Sequence, residues 1–220
     1  MEIQELPQKI KRYMTDPIYR FEVNARIRPI SDEDYLKGVF RLKLGYELNL
    51  DYPKTFNEKL QWLKIHDRNP EYTKMVDKYE VKKYVAEKIG NQYIIPTIGV
   101  WEHFSDIDFN ILPNKFVLKC THDSGSVVLV HDKKTWEKKT AYKKIEKAMR
   151  RNYYYACREW CYNHVHPRII AEPYLKNDSG AELVDYKLMC FGAKLNALLC
   201  AATASAATAS KSHFTTQTGK

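Results

Sequence analysis

The sequence predicts a mixed fold, α+β or α/β, with a helical front. Three observations lead there. Up to about residue 90 the apolar residues recur at helical spacing between recognisable caps. From Tyr93 onward short β-type runs appear, punctuated by Pro and Gly. A basic helical stretch is then interposed between two apolar strands.

In chain order, Ser31-Asp32-Glu33-Asp34 opens a helix whose acidic first turn suits the dipole. Its apolar side is Tyr35, Leu36, Val39, Phe40, Leu42 and Leu44, and Gly45 stops it. A second helix begins near Thr55, where Thr55-x-x-Glu58 matches a capping box ahead of Leu60, Trp62, Leu63 and Ile65. A third is expected over 72–89, carrying Asp77-Lys78 and ending at Gly90. Tyr93-Ile94-Ile95-Pro96 and Ile98-Gly99-Val100-Trp101 read as short strands. Lys115–Cys120 and Val127–Val130 read as strands flanking a small polar loop, Thr121 to Ser126. A long basic helix is expected over 133–160, then a strand from Arg168 through Glu172 to Pro173-Tyr174-Leu175, and another over 186–191.

At 220 residues the chain has enough length for a sizeable core without disulfides or metal. Hydrophobic residues at 44% and charged residues at 29% exclude a disordered protein. No apolar run reaches membrane-spanning length, and residues 1–13 lack the apolar stretch of a secretory signal, so a cytoplasmic protein with no transmembrane segment is expected. Cys120, Cys157, Cys161, Cys190 and Cys200 are an odd set without framework spacing, as reduced thiols would be. A net charge of +9 suits polyanions: nucleotides or an anionic polymer. Nucleic acid is not expected, because neither the RNA-recognition aromatic signature nor zinc-finger spacing occurs.

Lys119, at the end of an apolar strand and the root of a loop of small residues, is suited to phosphate: the loop can present backbone N–H groups beside a fixed cation. With one glycine, the loop matches neither the P-loop nor the dinucleotide fingerprint, and an ordinary hairpin with one solvated lysine explains it as well. Asp77-Lys78 upstream, and the strand ending at Glu172 with Asp185-x-Lys187 downstream, complete an ordered set.

The strings PKTFNEKLQWLKIHDRNPEYTKMVDKYEVKKYV, IIPTIGVW, LPNKFVLKCTHDSGSV, RNYYYACREW, PRIIAEPYL and DYKLMCF resemble the TupA-like ATP-grasp family of polysaccharide-biosynthesis proteins, over about residues 30–192. Members are often labelled glycosyltransferases, and the teichuronopeptide branch is thought to join an amino acid to a cell-surface polymer. The resemblance implies an α+β, ATP-grasp-like fold with a helical N-terminal segment (1–70), an ATP-grasp-like region (71–192) incomplete in its second subdomain, and an aberrant tail (193–220). It implies ATP with magnesium (Mg) as cofactors, and ATP-dependent carboxylate–amine ligation onto a glycan or anionic polymer. Lys78 and Lys119 would bind ATP phosphates, with His122, Asp123, Ser124, Gly125 and Ser126 as the flexible loop above them. Glu172, Pro173, Tyr174 and Leu175 would form the adenine hinge, Asp185 would hold the ribose, and Lys187 would act at the phosphates or acyl phosphate.

Other features have plainer readings. Cys157, Cys161, His164 and His166 fit no standard zinc spacing. Asp106-Ile107-Asp108 matches the D-x-D signature of glycosyltransferases, which would make those carboxylates metal ligands in the rival reading. A non-catalytic basic module binding an anionic polymer is the second rival. Tyr153-Tyr154-Tyr155 suits either a sugar or simple packing. From about Leu195 the chain is rich in Ala, Thr and Ser, with no acidic residue. Back-translated and read one frame over, this stretch can give KCSFVCSDRFSSDGLKVTFYDTNWE, which resembles what TupA-like proteins carry there. A frameshift near 192–195 is the expectation, leaving the chain without the downstream acidic and amide residues that would hold magnesium.

Overall fold

The structure is a computed structural model and describes residues 5–176, 184–191, 194–202 and 212–216. Helices α1 (Glu5–Thr15), α2 (Pro17–Ile27), α3 (Asp32–Leu44) and α4 (Phe56–His66) form the front. Ser31 caps α3 by accepting the Asp34 N–H, and Gly45 ends it at φ 78°, a left-handed conformation that glycine takes without a Cβ clash. The capping box of α4 is complete: Thr55 Oγ1 accepts from Glu58 N, and the buried Glu58 carboxylate accepts from Thr55 N at 2.8 Å. Ala25, Tyr35, Leu36, Phe40, Leu48 and Leu50 make the front's own buried cluster.

The expected third helix is two. Helix α5 (Glu71–Val76) and α6 (Glu80–Ile89) are separated at Asp77-Lys78-Tyr79. Asp77 is extended at ψ 115°, and its Oδ1 accepts from Tyr79 N at 2.8 Å and Glu80 N at 3.3 Å, starting α6 afresh. Lys78 N–H is withdrawn from the helix and donates to Thr121 O at 3.1 Å. Lys78 therefore sits in a break rather than within a helix.

Strands β1 (Gly99–Trp101), β2 (Phe116–Cys120), β3 (Val128–Val130) and β4 (Ile169–Pro173) form a sheet in the order β1-β4-β2-β3, with β1 antiparallel to β4 and β2 antiparallel to β3. The 94–96 run is not a strand: a 3-10 turn, Asn91–Tyr93, precedes it and pairing begins at Gly99. Helix α7 (Lys138–Met149) is shorter than the basic helix expected. It stops where Asn152 Oδ1 takes the Tyr154 N–H and starts the single turn α8 (Tyr154–Cys157). Phe116, Leu118 and Cys120 of β2, Ile169 and Ala171 of β4, and Ala141, Ile145 and Ala148 of α7 share the main core. Side chains alternate along a strand. Val117 and Lys119 on β2, and Ile170 and Glu172 on β4, thus occupy the other face.

The chain divides into two compact units, residues 1–172 and 173–220, so the front helices and this sheet belong to one unit. In the other, β5 (Val184–Phe191), β6 (Lys194–Ala202) and β7 (Ser212–Thr216) form an antiparallel meander whose register shifts between Met189 and Cys190. Much of the expected low-complexity tail is thus paired strand. The architecture is mixed helix and antiparallel sheet, compatible with α+β. Among the described residues no helix is long and apolar enough to cross a membrane.

Candidate functional site

The site is built where the α5–α6 break meets the end of β2. The Lys78 ammonium donates to Cys120 O at 3.1 Å, Thr121 O at 3.5 Å and, most closely, Asp123 O. Burial holds the Lys78 pKa below its ordinary value; the Asp123 carboxylate opposes this, and the nearby Lys119 charge adds to it. Lys78 and Lys119 thus lie near enough for their charges to repel, and Lys78 spends its donors on carbonyls of the loop.

That loop is pinned at both ends. His122, 2% exposed, places Nε2 at 3.1 Å from Ala148 O and 3.2 Å from Arg151 O; both partners are acceptors, so Nε2 carries the proton. Ser126 Oγ donates to Asp123 Oδ1 at 2.5 Å and accepts from Cys120 N at 3.0 Å. Arg151 reaches Asp123 Oδ2 at 3.5 Å and Ser124 O at 3.3 Å. Thr121 exchanges backbone and hydroxyl hydrogen bonds with Arg168. His122, Asp123 and Ser126 are thus internal struts, whereas Ser124 and Gly125 form an exposed tip. Gly125 has φ 95°, and a Cβ there would meet nothing within 4 Å, so backbone conformation is what calls for glycine.

Lys119 and Glu172, on the shared sheet face, meet at 2.6 Å. The other oxygen of Glu172 takes Lys82 of α6 at 2.7 Å. Glu172 is 4% exposed. Its carboxylate is engaged by two ammonium groups, whereas the sequence reading gave it to adenine. Lys82 was missed, because a second lysine one helical turn after Lys78 reads as a solvated face; that i, i+4 spacing was the available signal. Arg168 was missed as well. It holds Asp77 Oδ2 at 2.7 Å and Glu80 at 2.8 Å and lies over the Tyr79 ring at 4.8 Å, fixing the α5–α6 break against the sheet.

Pro173 and Tyr174 are half-buried and Leu175 is exposed. Asp185 and Lys187 lie on β5, and their side chains fall outside the described residues. Among the described residues no three His, Cys, Asp or Glu side chains gather as a metal site would need. His166 instead faces Glu102 at 3.1 Å. Asp106 and Asp108 are exposed on a turn, where Ser105 Oγ and Asn110 N respectively donate to them. The tyrosine run packs: Tyr153 meets Tyr162 edge-on at 4.9 Å, and Arg158 lies over Tyr154 and Tyr155 at 5.3 and 5.1 Å.

No curated protein and no solved structure matches the chain. The model of the family described as TupA-like ATPgrasp does match, over residues 58–218, a span that begins in α4 and runs through the sheet, the pinned loop and the meander. A match of that extent, with Lys78 and Lys119 both inside it, places the sequence: the chain belongs to the TupA-like ATP-grasp family.

Proposed function

We propose that the protein is of the ATP-dependent carboxylate–amine ligase type, acting in assembly of a cell-surface polysaccharide, with a glycan or anionic polymer as acceptor. The observation that carries this reading is Lys78 bonded to the carbonyls of one glycine-containing loop, with Lys119 near it on the strand that leads into that loop, in a chain of an ATP-grasp family. Among the described residues Lys119 has one ion-pair partner, Glu172, and its ammonium group has N–H donors to offer phosphate oxygens. Lys78, held on the loop carbonyls, contributes charge from behind the loop.

In the proposed reaction a carboxylate oxygen attacks the terminal phosphorus of ATP, and ADP leaves. The amine then attacks the acyl phosphate carbon, phosphate departs, and the amine proton passes to solvent. The lysines stabilise charge on the transferring group. The backbone groups of Glu172, Pro173, Tyr174 and Leu175 are proposed to face adenine, Asp185 the ribose and Lys187 the acyl phosphate. We further propose that residues 193–220, which carry no acidic residue, are read out of frame and that this impairs the ligase, although the family match crosses most of them. Sequencing the encoding DNA decides that point.

Calorimetric titration of the full chain with ATP and magnesium tests the reading, beside Lys119→Ala and a frame-restored chain. Loss of one charge-assisted contact worth about 1.5–3 kcal/mol should weaken binding roughly 10- to 100-fold in Lys119→Ala. Salt-sensitive polymer binding that survives Lys119→Ala and needs no nucleotide would overturn the ligase reading in favour of a basic polymer-binding module.

A further inference from the structure

We infer that Lys82 is a positioning residue of the polyphosphate site: it keeps Glu172 compensated, so that Lys119 can exchange from that carboxylate to an incoming triphosphate. This rests on the nucleotide-binding reading above and adds a residue and a mode of entry to it.

The two lysines on Glu172 are held differently. An ammonium group has three N–H donors. Lys82 gives two of them to Thr97 Oγ1 at 2.7 Å and Ile95 O at 2.8 Å, which fixes it to the segment before β1, and it forms an ion pair with Glu172 Oε1 at 2.7 Å. Lys119 is bound among the described residues by Glu172 Oε2 alone, and its side chain is 21% exposed against 6% for that of Glu172. One carboxylate thus bridges a fixed cation and a movable one. A carboxylate so deeply buried could not lose its sole partner without a large desolvation cost. With Lys82 remaining, Glu172 keeps a 2.7 Å partner when Lys119 leaves. Lys119 also stands near the buried charge of Lys78, and an anion arriving between them relieves that repulsion. Until it arrives, Glu172 serves as the stand-in anion.

The experiment compares the full-length protein with Lys82→Met, Glu172→Gln and the double variant. Two readouts are used: acetylation rates of Lys82 and Lys119 without nucleotide, followed by mass spectrometry, and affinities for ATP and for inorganic tripolyphosphate. In the unaltered protein Lys119 should acetylate about tenfold faster than Lys82. Lys82→Met should slow Lys119 acetylation severalfold, because Glu172 then grips it alone, and should weaken both polyphosphates roughly tenfold. Glu172→Gln alone should speed Lys119 acetylation. The double variant should recover tripolyphosphate binding to within about threefold of the unaltered protein. Equal acetylation of the two lysines, no slowing in Lys82→Met, or no recovery in the double variant overturns the inference; the last would make Lys82 a direct ligand contact or simple scaffolding. If the unaltered protein binds neither polyphosphate, the ligase reading fails, while the acetylation rates still judge the division between fixed and movable cation.

Discussion

Replacing Asp77 with alanine should damage the site from behind, and the structure allows the cost to be sized. The carboxylate is 3% exposed and does two things. Oδ1 caps α6 through Tyr79 N and Glu80 N, a role worth about 1 kcal/mol. Oδ2 pairs with Arg168 at 2.7 Å. Breaking a buried pair costs about 3–5 kcal/mol. Here Arg168 is 18% exposed and keeps Glu80 at 2.8 Å, so about 1–2 kcal/mol is the appropriate share. The sum is about 2–3 kcal/mol, or a fall of roughly 5–10 °C in Tm for a unit of this size. Urea unfolding followed by tryptophan fluorescence suits the measurement, since Trp62, Trp101, Trp136 and Trp160 all lie within residues 1–172. Asp77→Asn, which keeps an acceptor for the cap but not the charge, should lose about half as much. A loss under about 0.5 kcal/mol in Asp77→Ala, or equal losses in the two variants, would refute the division of labour assigned to the two oxygens.

Two other outcomes are expected. Burial pushes the Cys120 thiol up to about 11 from 9.0, so the unfolded chain releases its proton first as pH rises. Stability from this group is complete below pH 9 and declines toward pH 11, by at most about 3 kcal/mol; the difference between the unaltered protein and Cys120→Ala in urea melts across that range isolates it. Arg158→Ala should loosen the front helices, because this residue, 7% exposed, stacks on Tyr35 at 4.5 Å and reaches Asp32 at 3.6 Å. Tryptic cleavage within residues 1–70 should accelerate about tenfold, and Arg158→Lys should recover less than half of the protection, since it keeps the charge but not the planar stack.

What was legible in the sequence was local chemistry. Ser31, Gly45 and the Thr55–Glu58 pair announce helix ends through hydrogen bonds made within a few residues, and each is found where expected. The apolar alternation of β2 likewise places Lys119 on the face away from the core. The break at Asp77-Lys78 was hidden because apolar periodicity continues through it; the competing partner, Thr121 O, comes from a distant segment. The early end of α7 had a readable sign in Asn152, overridden by the basic run before it. Lys78, Lys119 and the loop can be singled out from the sequence, but their partners in the fold cannot. Nothing near Lys82 in the sequence tells that it meets Glu172, and nothing in a loop of small polar residues tells that His122 is swallowed by the end of α7.

The segment after α7 has a mechanical consequence. Its beginning grips the loop of residues 121–126, through Arg151 O on His122 and the Arg151 side chain on Asp123 and Ser124. Its other end clasps the front, through Tyr154 and Arg158 on Asp32, Ala156 O on Tyr35 and Cys157 O on Lys64. Loop and front helices are thus bolted to opposite ends of one short bracket, residues 151–158. A ligand that tugged the loop would pull on α3 and α4, and anything that levered those helices would be felt at the loop.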